Sequence, residues 1–320
     1  MYAIRVHDFG GPDALEWAEV DDPTPGPGEV LVEVLAAGVN PVDTYIRSGT
    51  YSLRPELPYT PGLEGCGVVR GLGAGVDGWE AGQRVIFERP RTGAYAELAA
   101  VDADRLLPAP EGLDDAQCAG FWVAYATAYR AIVQIGRARA GEAMFVHGAS
   151  GNVGLAALEL GRAIGLQTYG TSSTPEGRAL IAARGALPFD HSAPGYLDSL
   201  VEATGGEGAD VTLEMNAGTN LNAAIGVTSR RGRVMVVGSH GEVDFAPRAL
   251  MGKELSLNGV MLFGMTHGER RGAAAALLGL ASAGALSPEV ALALPMDQAA
   301  QAHVHMVARG KRGAIALTRP

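Results

Sequence analysis

The sequence predicts an α/β protein in which a doubly wound parallel sheet is joined to a smaller, β-rich domain. The first observation behind this is the stretch Glu142 to Gly165, EAMFVHGASGNVGLAALELGRAIG. It reads as a buried strand (Ala143 to Val146), a turn with Gly148, Gly151 and Gly154 in the pattern G-x-x-G-x-x-G, and a helix from Leu155 to Ile164. That order aims backbone N–H groups and a helix N-terminus at a pyrophosphate, with one glycine for the tight turn, one for close approach and one for packing helix on strand. The second observation is that strand and helix patterns alternate throughout the chain after Pro110. The third is that the chain before it holds many short strands separated by turns, as in a small barrel or sandwich.

Taken in order, Met1 to Val20 alternates apolar and polar residues around Gly10-Gly11-Pro12, which predicts two strands. Val30 to Ala37 alternates as a strand, and Asn40 to Gly49 is a loop running into a short helix. Tyr51 to Gly62 contains Pro55, Pro58 and Pro61 and is expected to be irregular. Gly65 to Arg70, Arg84 to Phe87 and Ala94 to Ala100 read as further strands, and Leu113 to Ile135 as mostly helical. After the glycine turn come a strand (Leu166 to Thr171), a helix (Glu176 to Arg184), a short strand (Leu187 to Phe189) and a strand (Ala209 to Glu214). A helix around Asn220 to Ser229 and the strand Gly232 to Gly238 follow. Beyond Val260 lie an Ala-rich helix, a second helix over Ala299 to Ala308, and a final strand, Gly313 to Leu317, expected to return to the first domain.

A length of 320 residues allows two full cores. The net charge of -10 argues against nucleic acid or an anionic membrane as the main partner, though not against an anionic cofactor in a locally positive pocket. The cysteines Cys66 and Cys118 are too few for a disulfide scaffold or a cysteine-rich metal lobe; two reduced, buried thiols are expected. The N-terminus lacks a secretory apolar core and no run approaches roughly 18 apolar residues, so a cytoplasmic location is expected.

The segments GVNPVDTYIRSGTY (Gly38 to Tyr51), LPYTPG (Leu57 to Gly62), VHGASGNVG (Val146 to Gly154) and RGRVMVVGS (Arg231 to Ser239) closely resemble those of zeta-crystallin-type quinone oxidoreductases, in the medium-chain dehydrogenase/reductase superfamily. The resemblance spans essentially the whole chain. It implies a GroES-like substrate domain over residues 1–118, completed by 262–320, with a Rossmann domain over 119–261 inserted between them. It also implies an NADPH-dependent reductase of quinones that forms a homodimer or homotetramer.

Zinc alcohol dehydrogenases of this superfamily hold a catalytic zinc with a cysteine, a Gly-His-Glu segment and a later cysteine. This chain has Asn40 at the first place and Leu63 in Gly62-Leu63-Glu64, and Phe121 to Tyr129 contains no cysteine. An amide and an alkyl group make no zinc site, so no metal is expected and Glu64 reads as structural. His303 and His305, two apart on a helix, do not share a face.

NAD enzymes place an acid after the second strand for the ribose 2′-hydroxyl; the segment Thr168 to Ser173 has none, which favours NADPH. Arg178 fits a 2′-phosphate pocket or a solvated helix face equally. The resemblance adds Gly177 and His191 to that pocket. It assigns Ser150, Gly151, Asn152 and Val153 to the pyrophosphate. Asn220 with Val237, Gly238, Ser239 and His240 falls to the ribose and nicotinamide side, and Val260, Met261 and Leu262 to the nicotinamide. His240 departs from the arginine of zeta-crystallin itself, which weakens a charge contact there. Thr127 is a further cofactor candidate.

Asn40, Tyr45 and Tyr51 are the candidate catalytic residues. Tyr45 matches a family tyrosine that contacts the cofactor, and its hydroxyl is able to donate to a developing quinolate oxygen; a turn-forming Asn40 and an amphipathic core Tyr45 are the bland alternatives. Cys66, in the apolar GCGVV, reads as a buried thiol rather than a nucleophile. Two other functions remain open at this stage: NADPH-dependent reduction of an activated carbon–carbon double bond (enone, enal or enoyl thioester), and a non-catalytic NADPH-binding protein.

Overall fold

The structure is a computed structural model that describes residues 1–319. It comprises two compact units, Met1–Val123 with the chain from Ser287 onward, and Ala124–Leu286.

In the first unit, β1 (Tyr2–Arg5) and β2 (Glu16–Glu19) form an antiparallel pair. β3 (Glu29–Val39) is the longest strand; Val30, Val32 and Val34 point inward with period two, and from Ala36 onward both faces are buried. α1 (Pro41–Arg47) follows at once, with Asn40 as its N-cap and Pro41 at the first helical position. β4 (Glu64–Leu72) pairs antiparallel with β3, and β5 (Arg84–Glu88) with β4. The strand expected over Ala94 to Ala100 is observed as β6 (Leu98–Asp102), paired with the first half of β3. Its expected first residues instead bridge to β1, with Ile4 N donating to Tyr95 O at 2.8 Å. β7 (Leu106–Pro108) completes this part on β5.

The expected helical run Leu113 to Ile135 is three pieces. α2 (Asp115–Ala119) is capped at its start by Asp114, which accepts from Gln117 N, and ends at Gly120. α3 (Trp122–Tyr129) follows, then a π-helical turn over Arg130–Ile135.

The second unit is built on β8 (Ala143–His147), α4 (Asn152–Ala163), β9 (Gln167–Thr171), α5 (Pro175–Ala183), β10 (Leu187–Phe189), α6 (Tyr196–Ala203), β11 (Ala209–Glu214), α7 (Ala217–Val227), β12 (Thr228–Val236), α8 (Pro247–Lys253), β13 (Ser256–Gly259) and α9 (His267–Ser282). The six strands are all parallel in the order β10-β9-β8-β11-β12-β13. The chain therefore winds outward from β8 in one direction, then returns to β11 and winds in the other. α6, α8 and β13 had no clear sequence pattern, and β12 begins at Thr228, inside the segment expected to be helical.

The chain then re-enters the first unit as β14 (Val290–Pro295), α10 (Ala299–Val307) and β15 (Ala314–Thr318). β15 lies antiparallel to β3, with Ala316 opposite Gly38. The expected return at residue 262 differs from the observed division, which falls after Leu286. The reason is local: Arg130 pairs with Glu269 at 3.3 Å and Gln134 donates to Glu269 O at 2.9 Å, which fastens the start of α9 to the π-helical turn of the second unit. On α10, His303 is 1% exposed and its neighbour but one, His305, is on the solvent side. Among the described residues no helix is long and apolar enough to cross a membrane.

Candidate functional site

β8 and β11 lie side by side at the point where the strand order reverses, and at the carboxyl edge of such a point open α/β sheets bind ligands. Here Gly148 leaves β8 with φ +88°, a left-handed conformation that suits glycine. Its N–H donates to Thr171 Oγ1 at 2.9 Å and Ala149 N donates to Thr171 O at 2.8 Å, so the end of β9 holds the turn in place. Gly151 is the N-cap of α4 and offers no side-chain cap; the first intrahelical bond is Leu155 N to Gly151 O. Helix N–H groups before that bond are the donors a diphosphate would take. A Cβ at Gly151 would meet nothing within 4 Å, whereas one at Gly154 would lie 2.6 Å from the Ala149 backbone. Gly151 thus leaves room on the ligand side, and Gly154 lets helix and turn touch. Ser150, Asn152 and Val153 stand on this turn, with Ser150 9% exposed.

Beneath the turn sits a pair that sequence reading missed. His147 and Glu214 are register partners at the ends of β8 and β11, 4% and 0% exposed, with His147 Nδ1 2.8 Å from Glu214 Oε2. Tyr196 Oη lies 3.1 Å from His147 Nε2, and Glu214 Oε1 accepts from Asn216 N at 2.7 Å and Asn220 Nδ2 at 3.3 Å. The expected ribose-side residue Asn220 is therefore held by a buried carboxylate. His191 stands edge-on to His147 with ring centroids 6.1 Å apart.

The end of β9 carries no acid. Ser172 is 2% exposed, and Thr174 caps α5 by accepting from Gly177 N at 3.1 Å. A Cβ at Gly177 would fall 2.1 Å from Ser172 Oγ, so this helix start packs against the strand end only with glycine there. Arg178 does not stand as a free cation: it pairs with Asp190 at 2.8 Å and donates to Ser172 O at 3.1 Å. Its charge is shared with an acid one residue before His191, which the sequence pattern did not reveal.

On the other side of β11, Val237 N donates to Glu214 O and Ala217 N donates to Gly238 O, so the segment Val237 to His240 is laced to the ends of β11 and α7. His240 N donates to Asn216 Oδ1 at 3.2 Å, and Ser239 and His240 are exposed. Val260 N donates to Val236 O at 2.9 Å; Met261 is exposed and Leu262 buried as the chain turns into a short 3-10 helix. Thr127 lies on α3, 9% exposed.

In the first unit, Asn40 stands between β3 and α1. Its N–H donates to Asp43 Oδ2 at 2.8 Å and its side-chain amide to Glu64 Oε1 at 2.7 Å. Glu64 Oε2 accepts from Val123 N at 2.8 Å. Glu64 is thus anchored by two N–H donors, with no cation paired to it among the described residues, and burial pushes its carboxyl up to about 8. Burial likewise moves Asp43 up to about 7. Tyr45, on α1, is half-buried with its phenol raised by desolvation, and Tyr51 lies just beyond, its N–H bonded to Tyr45 O. Among the described residues no group of three or more His, Cys, Asp or Glu is placed to hold a metal ion.

A cavity of about 550 Å³ opens in the same unit, lined among others by Leu53, Tyr59, Leu63, Arg5 and Arg89. It has the size of a small-molecule pocket. The proline-rich Tyr51 to Gly62 stretch contributes more of its lining than any other segment, and that stretch carries no periodicity by which a sequence reading would find it.

Two family profiles match the chain: "Alcohol dehydrogenase GroES-like domain" over residues 26–111 and "Zinc-binding dehydrogenase" over residues 152–279. Quinone oxidoreductase of Rattus norvegicus is 42% identical over 320 residues, covering 99% of this chain and 97% of that protein. Among solved structures, Escherichia coli quinone oxidoreductase complexed with NADPH aligns with a TM-score of 0.91 at 28% identity, covering 99% of this chain and 100% of that one. A mycobacterial protein complexed with NADPH aligns with a TM-score of 0.92 at 29% identity, with the same coverage. The chain belongs to the zeta-crystallin-type quinone oxidoreductases of the medium-chain dehydrogenase/reductase superfamily.

Proposed function

We propose that this protein is an NADPH:quinone oxidoreductase that works without a catalytic metal. The observation that carries the cofactor choice is the end of β9, where Thr171 and Ser172 stand in place of an acid, with Gly177, Arg178 and His191 around them. An acid there would bind the 2′-hydroxyl of NADH and repel a 2′-phosphate. The Gly148 to Gly154 turn and the N-terminus of α4 take the diphosphate; Asn220, the Val237 to His240 segment and Val260 to Leu262 take the ribose and nicotinamide. Thr127 adds to that side.

Bound NADPH supplies a hydride to an electron-poor acceptor. The residues of this chain orient the partners and stabilise charge. Asn40 is fixed by Glu64, and Tyr45 and Tyr51 line the acceptor's side, where the Tyr45 hydroxyl donates to the quinolate oxygen as charge develops. The remaining proton comes from water. A quinone is electrophilic enough to need no Lewis acid, which matches an amide at Asn40 and an alkyl group at Leu63. We place the protein in the cytoplasm as a homodimer or homotetramer, on the family resemblance; sedimentation reads the oligomeric state.

The test is nicotinamide oxidation followed by absorbance with 1,4-benzoquinone, an enone and crotonyl-CoA, using NADPH and NADH, before and after chelation. Fast, NADPH-selective, chelator-resistant turnover of the quinone is expected. Turnover of the enone or thioester alone identifies a double-bond reductase, and NADPH binding with no acceptor reduced identifies a binding protein. Loss of activity on chelation overturns the metal-free reading.

A further inference from the structure

Glu214 closes β11 and is 0% exposed, and no step above uses it. A carboxyl so placed has lost its water, so its oxygens must find their hydrogen bonds inside the fold. They find them on residues that border the cofactor turn. Oε1 accepts from Asn216 N at 2.7 Å and from Asn220 Nδ2 at 3.3 Å, while Oε2 lies 2.8 Å from His147 Nδ1. One buried side chain thus ties the end of β8, through His147, to the start of α7, through Asn220. The two asparagines are used differently. Asn216 spends both ends of its amide within the fold: Oδ1 accepts from His240 N at 3.2 Å and Nδ2 donates to Thr219 Oγ1 at 3.2 Å. Asn220 spends only its nitrogen. Its Oδ1 has no partner among the described residues, and the residue is half-buried where α7 leaves the carboxyl end of β11.

We propose that Glu214 is a positioning residue for the cofactor: by holding the Asn220 amide nitrogen it turns the Asn220 carbonyl oxygen outward, as the acceptor for a ribose hydroxyl. The proposal rests on the NADPH reading above. The ligand group follows from the chemistry of the amide. A carbonyl oxygen accepts and cannot donate, so it suits a hydroxyl and not a phosphate oxygen. NADPH carries hydroxyls on both of its riboses. Glu214 makes this contact inexpensive because the amide is fixed before the cofactor arrives; without it, binding bears the entropy of ordering the Asn220 side chain. His147 extends the same anchor across the switch point, where Tyr196 Oη lies 3.1 Å from its Nε2.

Dissociation constants for NADPH are measured by fluorescence titration of the full chain, with thermal midpoints alongside. Asn220→Ala is expected to weaken NADPH about fivefold or more, the worth of one hydrogen bond, at a nearly unchanged midpoint. Glu214→Gln is expected to hold affinity within about twofold, because its carbonyl still accepts from both N–H groups and its amide nitrogen meets His147 Nδ1 as an acceptor. Glu214→Leu is expected to weaken NADPH several-fold in the wild-type chain and clearly less in an Asn220→Ala chain, since both changes act on one contact. If Glu214→Leu does not fold, Glu214→Asp, which keeps a carboxyl but draws it back from Asn220 by one methylene, carries the same comparison. Adenosine 2′,5′-bisphosphate and nicotinamide mononucleotide, used as competitors, locate the ribose: the fragment weakened by Asn220→Ala carries the hydroxyl. The proposal is overturned if Asn220→Ala binds NADPH as the wild type does, if the change at Glu214 costs the same factor in both backgrounds, if Glu214→Gln binds as weakly as Glu214→Leu, or if neither fragment is weakened. Titration needs no acceptor, so a wild-type chain that binds NADPH and reduces no quinone refutes the quinone-reductase reading and not this one; a wild-type chain that binds no NADPH overturns both.

Discussion

The side-chain amide of Asn40 donates to Glu64 Oε1 at 2.7 Å, and both residues are almost wholly buried. The contact joins the N-cap of α1 to β4, and Glu64 extends it to the backbone of Val123. An amide beside a carboxyl needs no metal between them, whereas a cysteine and a histidine at the places of Asn40 and Leu63 would be ligands.

Burial gives this contact a pH signature. The Glu64 carboxyl titrates near 8 in the folded chain against an ordinary 4.5. The folded state therefore holds the proton where the unfolded state has lost it, and stability falls as pH rises from 4.5 to about 8, then levels. Asp43 adds the same sign between 3.8 and about 7. Glu64→Gln is expected to flatten the slope by more than about 1 kcal/mol across this window, and to lower stability at every pH because its single amide oxygen replaces two acceptors and leaves Asn40 Nδ2 or Val123 N facing a donor. Urea midpoints at acid and alkaline ends of the window measure it; an unchanged slope in Glu64→Gln would remove Glu64 as its source.

The glycine turn separates packing from ligand contact. Gly154→Ala forces a Cβ to within 2.6 Å of the Ala149 backbone and is expected to cost about 2 kcal/mol or more of stability, in the range of overpacked sites. Gly151→Ala places a Cβ in open space at φ -77°, so the thermal midpoint should hold while NADPH affinity drops about tenfold or more from lost diphosphate approach. Calorimetric titration of both variants decides this. Equal affinity in Gly151→Ala and wild type would take the diphosphate away from the turn.

His147 and Glu214 form a buried pair whose halves are unequal in replaceability. His147→Ala leaves Glu214 Oε2, on a side chain that is 0% exposed, without the His147 ring nitrogen beside it and is expected to lose about 1–3 kcal/mol. His147→Asn keeps a donor at the place of Nδ1 and should recover a clear part of that loss. Urea unfolding of the two variants is the measurement, and equal destabilisation would show that the hydrogen bond to Glu214 is not what matters.

Asp190 restrains Arg178. If Arg178 meets the 2′-phosphate, Asp190→Asn frees its charge and lowers KM for NADPH about threefold or more, leaving NADH unchanged, and Arg178→Ala does the reverse. Steady-state kinetics with both cofactors reads this. Identical responses for NADPH and NADH would assign Arg178 to helix packing alone.

What the sequence by itself determined was local in origin. A strand, three spaced glycines and an amphipathic helix are written within one short stretch, so the turn at Gly148 to Gly154 and the alternation around it are legible without a partner segment. The absence of an acid after β9 and of ligand-type residues at Asn40 and Leu63 is equally a matter of residue identity. The tertiary structure decided which distant groups meet. His147 and Glu214 are 67 positions apart and Asn40 and Glu64 are 24 apart. No periodicity links them; parallel register and antiparallel pairing bring them together. The same is true of Arg178, whose charge looks available on a helix face until Asp190 folds beside it. Burial acts last and only in three dimensions: a carboxyl such as Glu64 keeps its proton because surrounding apolar groups remove water, and no linear pattern records how many of them converge.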